Sequence, residues 1–215
     1  MVIDNPHLKN ALKYLNVALS SSSDPSGAVF YPDYFRDHFS LNDLTVEGAL
    51  TAIRIEGPVD SVDQRINKLR SELKISTENV SILEPEQSNL FWEKTQNLSV
   101  FNQTNDNLLR VVVPPSRTFE LIQKLKKYEI NYFIDWGGNL IWLSISKLSS
   151  KSLKEIGSII KETEGYFIVI KIEKHLKAQV DIFVSDPIKY KISEKIKTSF
   201  DPRRIFNPGK MYTGI

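Results

Sequence analysis

The order of predicted elements between residues 108 and 172 constrains the fold of this chain more than any other feature of its sequence. Four short apolar runs alternate there with two segments of helical periodicity. The two middle runs flank Gly137-Gly138-Asn139, which predicts a hairpin because such turns need positive φ angles. The predicted strands are Leu108–Val113, Ile130–Asp135, Leu140–Ile145 and Tyr166–Ile172. The order β-α-β-β-α-β predicts a ferredoxin-like α+β fold, a split β-α-β antiparallel sheet with helices on one face.

The preceding residues predict a second, shorter unit. Leu50–Leu83 has the order β-α-β, which either extends the same sheet or forms a diverged second copy. The phrases EGPVDSVDQRINKLRSEL and VPPSRTFELIQKLKKY share a strand–proline–helix order that supports a repeat. Residues 28–42 have no clean period, so no element is predicted for them. We therefore divide the chain into an N-terminal helix with an irregular segment (1–49), an α+β domain (50–185) and a C-terminal helix and tail (186–215).

Capping residues predict where the helices begin. Asp4 or Asn5 is the predicted cap of a first helix, which has leucines at positions 8, 12, 15 and 19. Ser116 is the predicted cap of the helix that follows the first strand of the split unit. Ser152 and Glu155 have the spacing of a capping box before the next helix.

Charge and cysteine content exclude several classes of function. The chain has 28 Lys and Arg against 26 Asp and Glu, a net charge of +2, so no basic field favours nucleic acid. It has no cysteine, which excludes disulfides, thiolate metal sites and cysteine nucleophiles. No segment reaches the roughly 18–20 apolar residues of a membrane span, and residues 1–10 lack the pattern of a secretory signal. We therefore expect a cytoplasmic protein with no transmembrane segment.

Most catalytic and cofactor motifs are missing from the sequence. The three histidines, His7, His38 and His175, are isolated from one another and from other ligands, so no metal site is predicted. No Gly-x-Ser-x-Gly elbow occurs, and no catalytic residue is assigned. The only paired glycines lie in the predicted hairpin, and nine glycines in 215 residues leave no glycine-rich phosphate loop. We therefore expect that this chain alone does not grip a pyrophosphate.

Two stretches carry more information than their surroundings. The hairpin INYFIDWGGNLIWLS either packs its aromatic side chains into the core or presents Asp135 and Trp136 at the rim of a cleft. The tail FDPRRIFNPGKMYTGI contains two successive turns, at Asp201-Pro202 and Asn207-Pro208-Gly209. Its apolar residues either dock on this chain or belong against a second domain. We predict that they are incompletely buried here: Ile205, Phe206, Met211 and Tyr212.

The tail FDPRRIFNPGKMY resembles the carboxyl-terminal signature of FAD-linked oxidases of the vanillyl-alcohol oxidase superfamily. More narrowly, it is similar to the ending of the FAD-binding E subunit of bacterial glycolate oxidase. Four further stretches resemble that subunit in the same order: ALTAIRIEG, NLFWEKTQNLSVF, LLRVVVPPS and YFIDWGGNLIWL. The resemblance covers about Leu50–Ile215 and, more loosely, Leu12–Tyr31.

The resemblance implies a cap domain with its returning tail, without the FAD domain that carries the glycine-rich loop. It implies FAD as the cofactor of the complete protein, a flavin-linked oxidation of 2-hydroxy acids, and partners that are a flavin domain or sister flavoprotein subunit and an iron–sulfur subunit. The residues it places nearest the flavin are Asn207, Pro208, Gly209 and Lys210, with Asn207 the best candidate for a polar contact to the ring. Trp136, together with Asp135, is the second choice.

Other interpretations of the function and of the oligomeric state stay open at this point. A free-standing ferredoxin-like module that binds a small molecule or regulates another protein has the same topology, since such folds host many functions. The exposed tail also allows a homo-oligomer. Through its complex, the chain is expected either in the cytoplasm or at the periphery of the inner membrane.

Overall fold

The computed structural model describes residues 1–4, 7–39, 48–102, 104–177 and 187–210. Its strands are β1 (Val2–Asp4), β2 (Gly27–Tyr31), β3 (Leu50–Arg54), β4 (Val80–Ser81), β5 (Asn107–Val112), β6 (Ile130–Asp135), β7 (Leu140–Ile145) and β8 (Tyr166–Lys171). Its α-helices are α1 (Leu8–Ser20), α2 (Val59–Leu73), α3 (Pro85–Gln96), α4 (Pro115–Leu125), α5 (Ser150–Glu162), α6 (Lys174–Lys177) and α7 (Pro187–Phe200). Short 3₁₀ turns occupy Asp33–Phe39, Thr77–Asn79, Ser99–Phe101 and Trp136–Gly138.

The eight strands form one antiparallel sheet in the order β4-β1-β3-β2-β6-β7-β5-β8. Read from either end, this sheet consists of two split β-α-β units with the same strand order. The first unit is β1-α1-β2-β3-α2-β4 and the second is β5-α4-β6-β7-α5-β8. They meet where β2 pairs with β6, at Phe30 opposite Ile134. The prediction of a ferredoxin-like α+β fold is confirmed, and the second copy is complete.

The first unit extends further toward the N-terminus than its sequence pattern indicated. Strands β1 and β2 come from the predicted segment 1–49, and both pair with β3 of the next segment. The division at residues 1–49, 50–185 and 186–215 stays a prediction, but the sheet crosses its first boundary. The two phrases chosen as repeats span α2 and α4, whereas the topology makes α1 the counterpart of α4 and α2 the counterpart of α5. The repeat is therefore real in topology, although those phrases are not its equivalent parts.

Three predicted helix starts are wrong by a few residues. The N-cap of α1 is His7, because Asp4 belongs to β1; Asn5 lies outside the described residues. Helix α4 begins at Pro115, before Ser116. The capping box of α5 is formed by Ser149 and Ser152: the Ser149 hydroxyl accepts from the Ser152 N–H at 3.1 Å, and the Ser152 hydroxyl accepts from the Ser149 N–H at 2.9 Å. Glu155 instead accepts a hydrogen bond from the Tyr128 hydroxyl at 2.9 Å.

The two faces of the sheet are covered differently. Leu109, Val111 and Ile141 face the helices and pack in one core with α1, α4 and α5, while Ile3 and Ile53 pack with α1 and α2. The opposite face of the first unit is covered by α3 and the 3₁₀ turns. An aromatic cluster fills that core: Tyr31, Phe35, Phe39, Phe91, Phe101 and Phe133. The opposite face of the second unit is covered only in part. Phe133 and Trp142 pack in the aromatic cluster at one side, and the Lys189 ammonium of α7 lies 5.0 Å from the Tyr166 ring at the other. The candidate site lies on the part between them.

Candidate functional site on the open face of the second unit

Rows of side chains cross the second unit on the face turned away from α4 and α5. Because side chains alternate along a strand, Arg110 and Val112 of β5 point opposite to the buried Leu109 and Val111. The strand register aligns one row as Phe133, Trp142, Arg110 and Ile168, and the next row as Asp135, Leu140, Val112 and Tyr166. We call this surface the open face. It combines one cation and one carboxylate with aromatic and aliphatic side chains.

Arg110 is the charged centre of the open face. Its guanidinium carbon lies 4.9 Å from the centroid of the Trp136 ring, within the range of a cation–π interaction. It forms no ion pair with any side chain in the part of the chain that the structure describes. Arg110 is half-buried, so its guanidinium has lost part of its contact with water. The Trp136 ring compensates for part of that loss.

The turn after β6 holds Trp136 beneath this guanidinium. Asp135 accepts a hydrogen bond from the Trp136 N–H at 2.7 Å, which starts the 3₁₀ turn. The φ angles of Trp136, Gly137 and Gly138 are 49°, 64° and 101°, so the positive φ predicted for the two glycines is confirmed. A tryptophan in this left-handed region costs about 1–2 kcal/mol. The Trp136 side chain is 55% exposed, so burial of its ring does little to offset that cost.

Asp135 lies beside Arg110 at the rim of this face. Burial raises the pKa of its carboxyl group, while the Trp136 N–H and the charge of Arg110 act in the opposite direction without cancelling that rise. The first interpretation of the hairpin is confirmed for Phe133, whereas a cleft with Asp135 and Trp136 at its rim stays a prediction. Phe133 is fully buried among other aromatic rings, whereas Asp135 and Trp136 lie at the edge of the open face.

The tail is held in its turn by one buried carboxylate. The Asp201 side chain is 7% exposed and accepts hydrogen bonds from the N–H groups of Ile205 at 3.1 Å and Phe206 at 3.0 Å, with the Lys197 ammonium at 2.7 Å. Burial alone raises the pKa of Asp201, but these hydrogen bonds outweigh it and lower the pKa to about 2. Ile205 and Phe206 remain 64% and 65% exposed, as predicted. Met211 and Tyr212 lie outside the described residues.

Exchange of Asp201 for asparagine tests this arrangement. We expect D201N to speed hydrogen exchange at the Ile205 and Phe206 amides by roughly tenfold, because charge-assisted hydrogen bonds are the stronger ones. Since the folded pKa is lowered, the stabilisation is present above about pH 4 and is lost as the pH falls through about 2. The control is E194Q, whose carboxylate lies 3.7 Å from Arg204. Equal protection in D201N and wild type contradicts the role of Asp201.

The sequence-predicted site residues occupy two separate places. Asn207, Pro208, Gly209 and Lys210 are exposed, with φ angles of 47° at Asn207 and 67° at Gly209. No hydrogen bond, ion pair or ring contact joins Trp136 to this turn in the described ranges. A Cβ built on Gly209 meets nothing within 4 Å, so the turn forms no closed cradle for a flavin. By itself this exposed turn does not enclose a flavin.

Two features escaped the sequence reasoning. Arg110 is a lone charge inside the run LLRVVV, and this break in the apolar run was the available signal. A cavity of about 200 Å³ lies between the end of α3 and the sheet, where Ser144 donates to Asp106 at 2.8 Å and Lys171 donates to the Thr104 carbonyl at 2.9 Å. Its polar walls combine Ser144 of β7 and Lys171 of β8 with loop residues such as Asp106, which carry no periodic pattern. Within the described ranges, no group of three or more acidic or histidine side chains is placed to hold a metal ion.

Comparison with known proteins supports the fold assignment. No family model and no curated protein matches this chain. Among solved structures, the 4-ethylphenol oxidase from Gulosibacter chungangensis, in its isoeugenol complex, is similar over 98% of this chain with a TM-score of 0.57 and 15% sequence identity. The match covers 53% of the oxidase, so this chain spans about half its length. The chain therefore shares the fold of part of that oxidase. No helix among the described residues is long and apolar enough to cross a membrane.

Proposed function

We propose that this chain is the cap-domain part of a flavin-dependent 2-hydroxy-acid (glycolate-type) oxidoreductase complex, in which another domain or subunit holds FAD. The observation that carries the proposal is the tail: Asp201 fixes its turn, yet Ile205 and Phe206 are presented to solvent. An apolar segment that is held in shape and remains about two-thirds exposed beside the described residues is typical of a docking segment.

The fold likeness supports the same proposal. Nearly all of this chain corresponds to about half of an oxidase chain. The tail FDPRRIFNPGKMY resembles the ending of vanillyl-alcohol oxidase-type enzymes, which supports a flavin as the cofactor of the complex. The narrower resemblance to the glycolate oxidase E subunit supports a 2-hydroxy acid as its substrate. With nine glycines and no glycine-rich loop, this chain lacks the usual means of binding a pyrophosphate.

Within the complex, the tail turn is assigned to the flavin-facing interface. Asn207 is proposed to make a polar contact to the flavin ring, with Pro208, Gly209 and Lys210 beside it, and Trp136 is the more distant candidate. When bound by the partner, the flavin accepts the hydride equivalent that oxidation of a 2-hydroxy acid releases. The proposed partners are that flavoprotein domain or subunit and an iron–sulfur subunit, in the cytoplasm or at the inner membrane surface. No catalytic residue is assigned to this chain.

Flavin binding by the isolated full chain tests the proposal. We expect no stoichiometric visible flavin band after the chain is mixed with FAD and passed through gel filtration, because the sequence has no glycine-rich loop for the pyrophosphate. With a flavoprotein encoded by a neighbouring reading frame added, we expect the two proteins to co-elute with the flavin band. A stoichiometric band on the chain alone contradicts the proposal.

A free-standing small-molecule-binding or regulatory module is the second candidate, and the cavity of about 200 Å³ favours it. Its walls combine the Asp106 carboxylate with the Lys171 ammonium, a pattern that suits a small zwitterion. Such a module has no need of the exposed tail. If loss of the tail side chains leaves every association of the protein unchanged, this candidate replaces the first.

A further inference from the structure

We propose that the open face binds a 2-hydroxy acid that carries a hydrocarbon substituent, with Arg110 binding the carboxylate and Asp135 accepting a hydrogen bond from the 2-hydroxyl group. The identity of the ligand as a 2-hydroxy acid rests on the proposed function, whereas the binding of a carboxylate at Arg110 does not. Both contacts are made by this chain's own residues. Glycolate has no hydrocarbon substituent, so it is expected to be a poor ligand.

Arg110 has the chemistry of a carboxylate site. The residues on either side of it in the strand, Leu109 and Val111, are fully buried. A charge between them is costly unless an interaction stabilises it. No carboxylate pairs with it in the described ranges, and its only recorded ring contact is Trp136. A guanidinium supported on an aromatic ring keeps its planar edge free for a bidentate contact, which matches the two oxygens of a carboxylate.

Trp136 is held in place before any ligand arrives. Its φ of 49° is a strained conformation for a tryptophan, and its ring is more than half exposed. Backbone strain of this kind persists where the surrounding structure fixes it, and it clusters at binding sites. Here the Asp135 side chain and the two following glycines fix the turn, so Arg110 is oriented by a rigid partner.

Asp135 completes the pairing of groups that a 2-hydroxy acid needs. It lies on β6 and Arg110 lies on β5, with β7 between them, so their backbones are roughly 10 Å apart. The charge of Arg110 acts on the Asp135 carboxyl group, so a small ligand can reach a cation and a hydrogen-bond acceptor together. Burial keeps the pKa of Asp135 above its ordinary value, which makes this carboxylate a better acceptor for a hydroxyl proton.

The surface between these two groups is hydrocarbon. Trp142 of β7 lies between β6 and β5 beside the buried Leu140, and Ile168 and Tyr166 of β8 lie on the far side of Arg110. The Lys189 ammonium lies 5.0 Å from the Tyr166 ring and marks the outer edge of this surface. A ligand with a phenyl or branched alkyl substituent covers the accessible part of the surface, whereas glycolate has no such group.

Intrinsic tryptophan fluorescence of the full chain, with isothermal titration as a second readout, tests the inference. The ligands are 3-phenyllactate, glycolate, 3-phenylpropionate, which lacks the hydroxyl, and 3-phenyl-1,2-propanediol, which lacks the carboxylate. We expect 3-phenyllactate to bind at least roughly tenfold more tightly than the diol and than glycolate, as a charge-assisted hydrogen bond and an apolar contact are each lost in turn.

The variants separate the two contacts. R110Q is expected to lose at least roughly tenfold in affinity for 3-phenyllactate and nothing for the diol, and R110K is expected to fall between R110Q and wild type. D135N is expected to remove the preference for 3-phenyllactate over 3-phenylpropionate. The control is R54Q, because Arg54 lies on β3 of the same sheet and pairs with Glu56 at 3.0 Å, away from the open face.

Three results overturn the inference: no binding of 3-phenyllactate to the wild-type chain, equal affinity for acid and diol, or an R110Q variant with wild-type affinity. Circular dichroism checks that each variant is folded, and R110K keeps the charge if R110Q is not. A D135N variant that keeps its preference for the hydroxyl removes the role of Asp135. The titration uses no flavin, so its outcome is independent of whether the chain joins a flavoprotein.

Discussion

Replacement of Phe133 by alanine is expected to lower the free energy of unfolding by about 3–5 kcal/mol, the usual range for a fully buried phenylalanine. Phe133 has no exposed surface and lies on β6, the strand that joins the two units. Its ring is stacked against Tyr31 of the first unit at 4.7 Å, and against Phe101 at 5.8 Å and Trp142 at 6.4 Å. The cavity left by F133A therefore opens where the units share a core. Urea denaturation followed by circular dichroism measures the change.

The matched control for this prediction is F119A. Phe119 is on α4 and is 39% exposed, so its truncation is expected to change the free energy of unfolding by no more than about 1 kcal/mol. The units are joined by one registered strand pair, Phe30 opposite Ile134, by the helix-side core that α1 shares with the second unit, and by the aromatic stack on the other face. Similar losses in F133A and F119A would show that the stack contributes little to the contact between the units.

The second unit was predictable from sequence because its strands are each six residues long and lie beside strongly periodic helices. The first unit was predictable only in part: its two helices and the strands β3 and β4 were predicted, whereas β1 and β2 were not. Strand β1 has three residues, too few to show a period of two. Strand β2, GAVFY, is buried on both faces, between α1 on one side and the aromatic cluster on the other, so its side chains do not alternate in polarity.

The candidate site was predictable only where backbone geometry demands particular residues. The pair Gly137-Gly138 predicts a turn with positive φ angles, and Asp135 and Trp136 come directly before it. Arg110 approaches Trp136 through strand pairing between residues that lie 26 positions apart, and no local pattern contains that information. The turn formers of the tail were equally visible, whereas the buried carboxylate that holds the tail, Asp201, was seen only as a turn residue.

The charge of the C-terminal segment adds to its apolar character. Residues 187–210 contain seven Lys or Arg and two Asp or Glu, a net charge of +5, whereas the whole chain has +2. No residue of α7 is buried, and the helix exposes Ile188, Ile192, Ile196 and Phe200. A segment that is both basic and apolar favours a partner surface with an apolar centre and an acidic rim.

The double substitution I205A/F206A is accordingly expected to weaken association with the proposed flavoprotein partner by roughly 10²–10³-fold. Truncation of a buried interface anchor costs about 2 kcal/mol or more, and each 1.4 kcal/mol is a factor of ten in affinity. Both side chains are about two-thirds exposed in this chain, so the melting temperature of the isolated protein is expected to stay within about 2 °C of wild type. Isothermal titration against the flavoprotein and differential scanning calorimetry of the chain alone measure the two quantities.

The control for this loss is I82A/L90A, which removes two comparably exposed apolar side chains far from the tail in sequence. If that variant weakens association as strongly, the effect reflects general surface hydrophobicity and not the docking of the tail. Because Asp201 contacts Ile205 and Phe206 through their backbone N–H groups and not through their side chains, I205A/F206A keeps the turn itself intact. A wild-type affinity in I205A/F206A therefore means that the tail, although correctly shaped, is not the surface that binds the proposed flavoprotein.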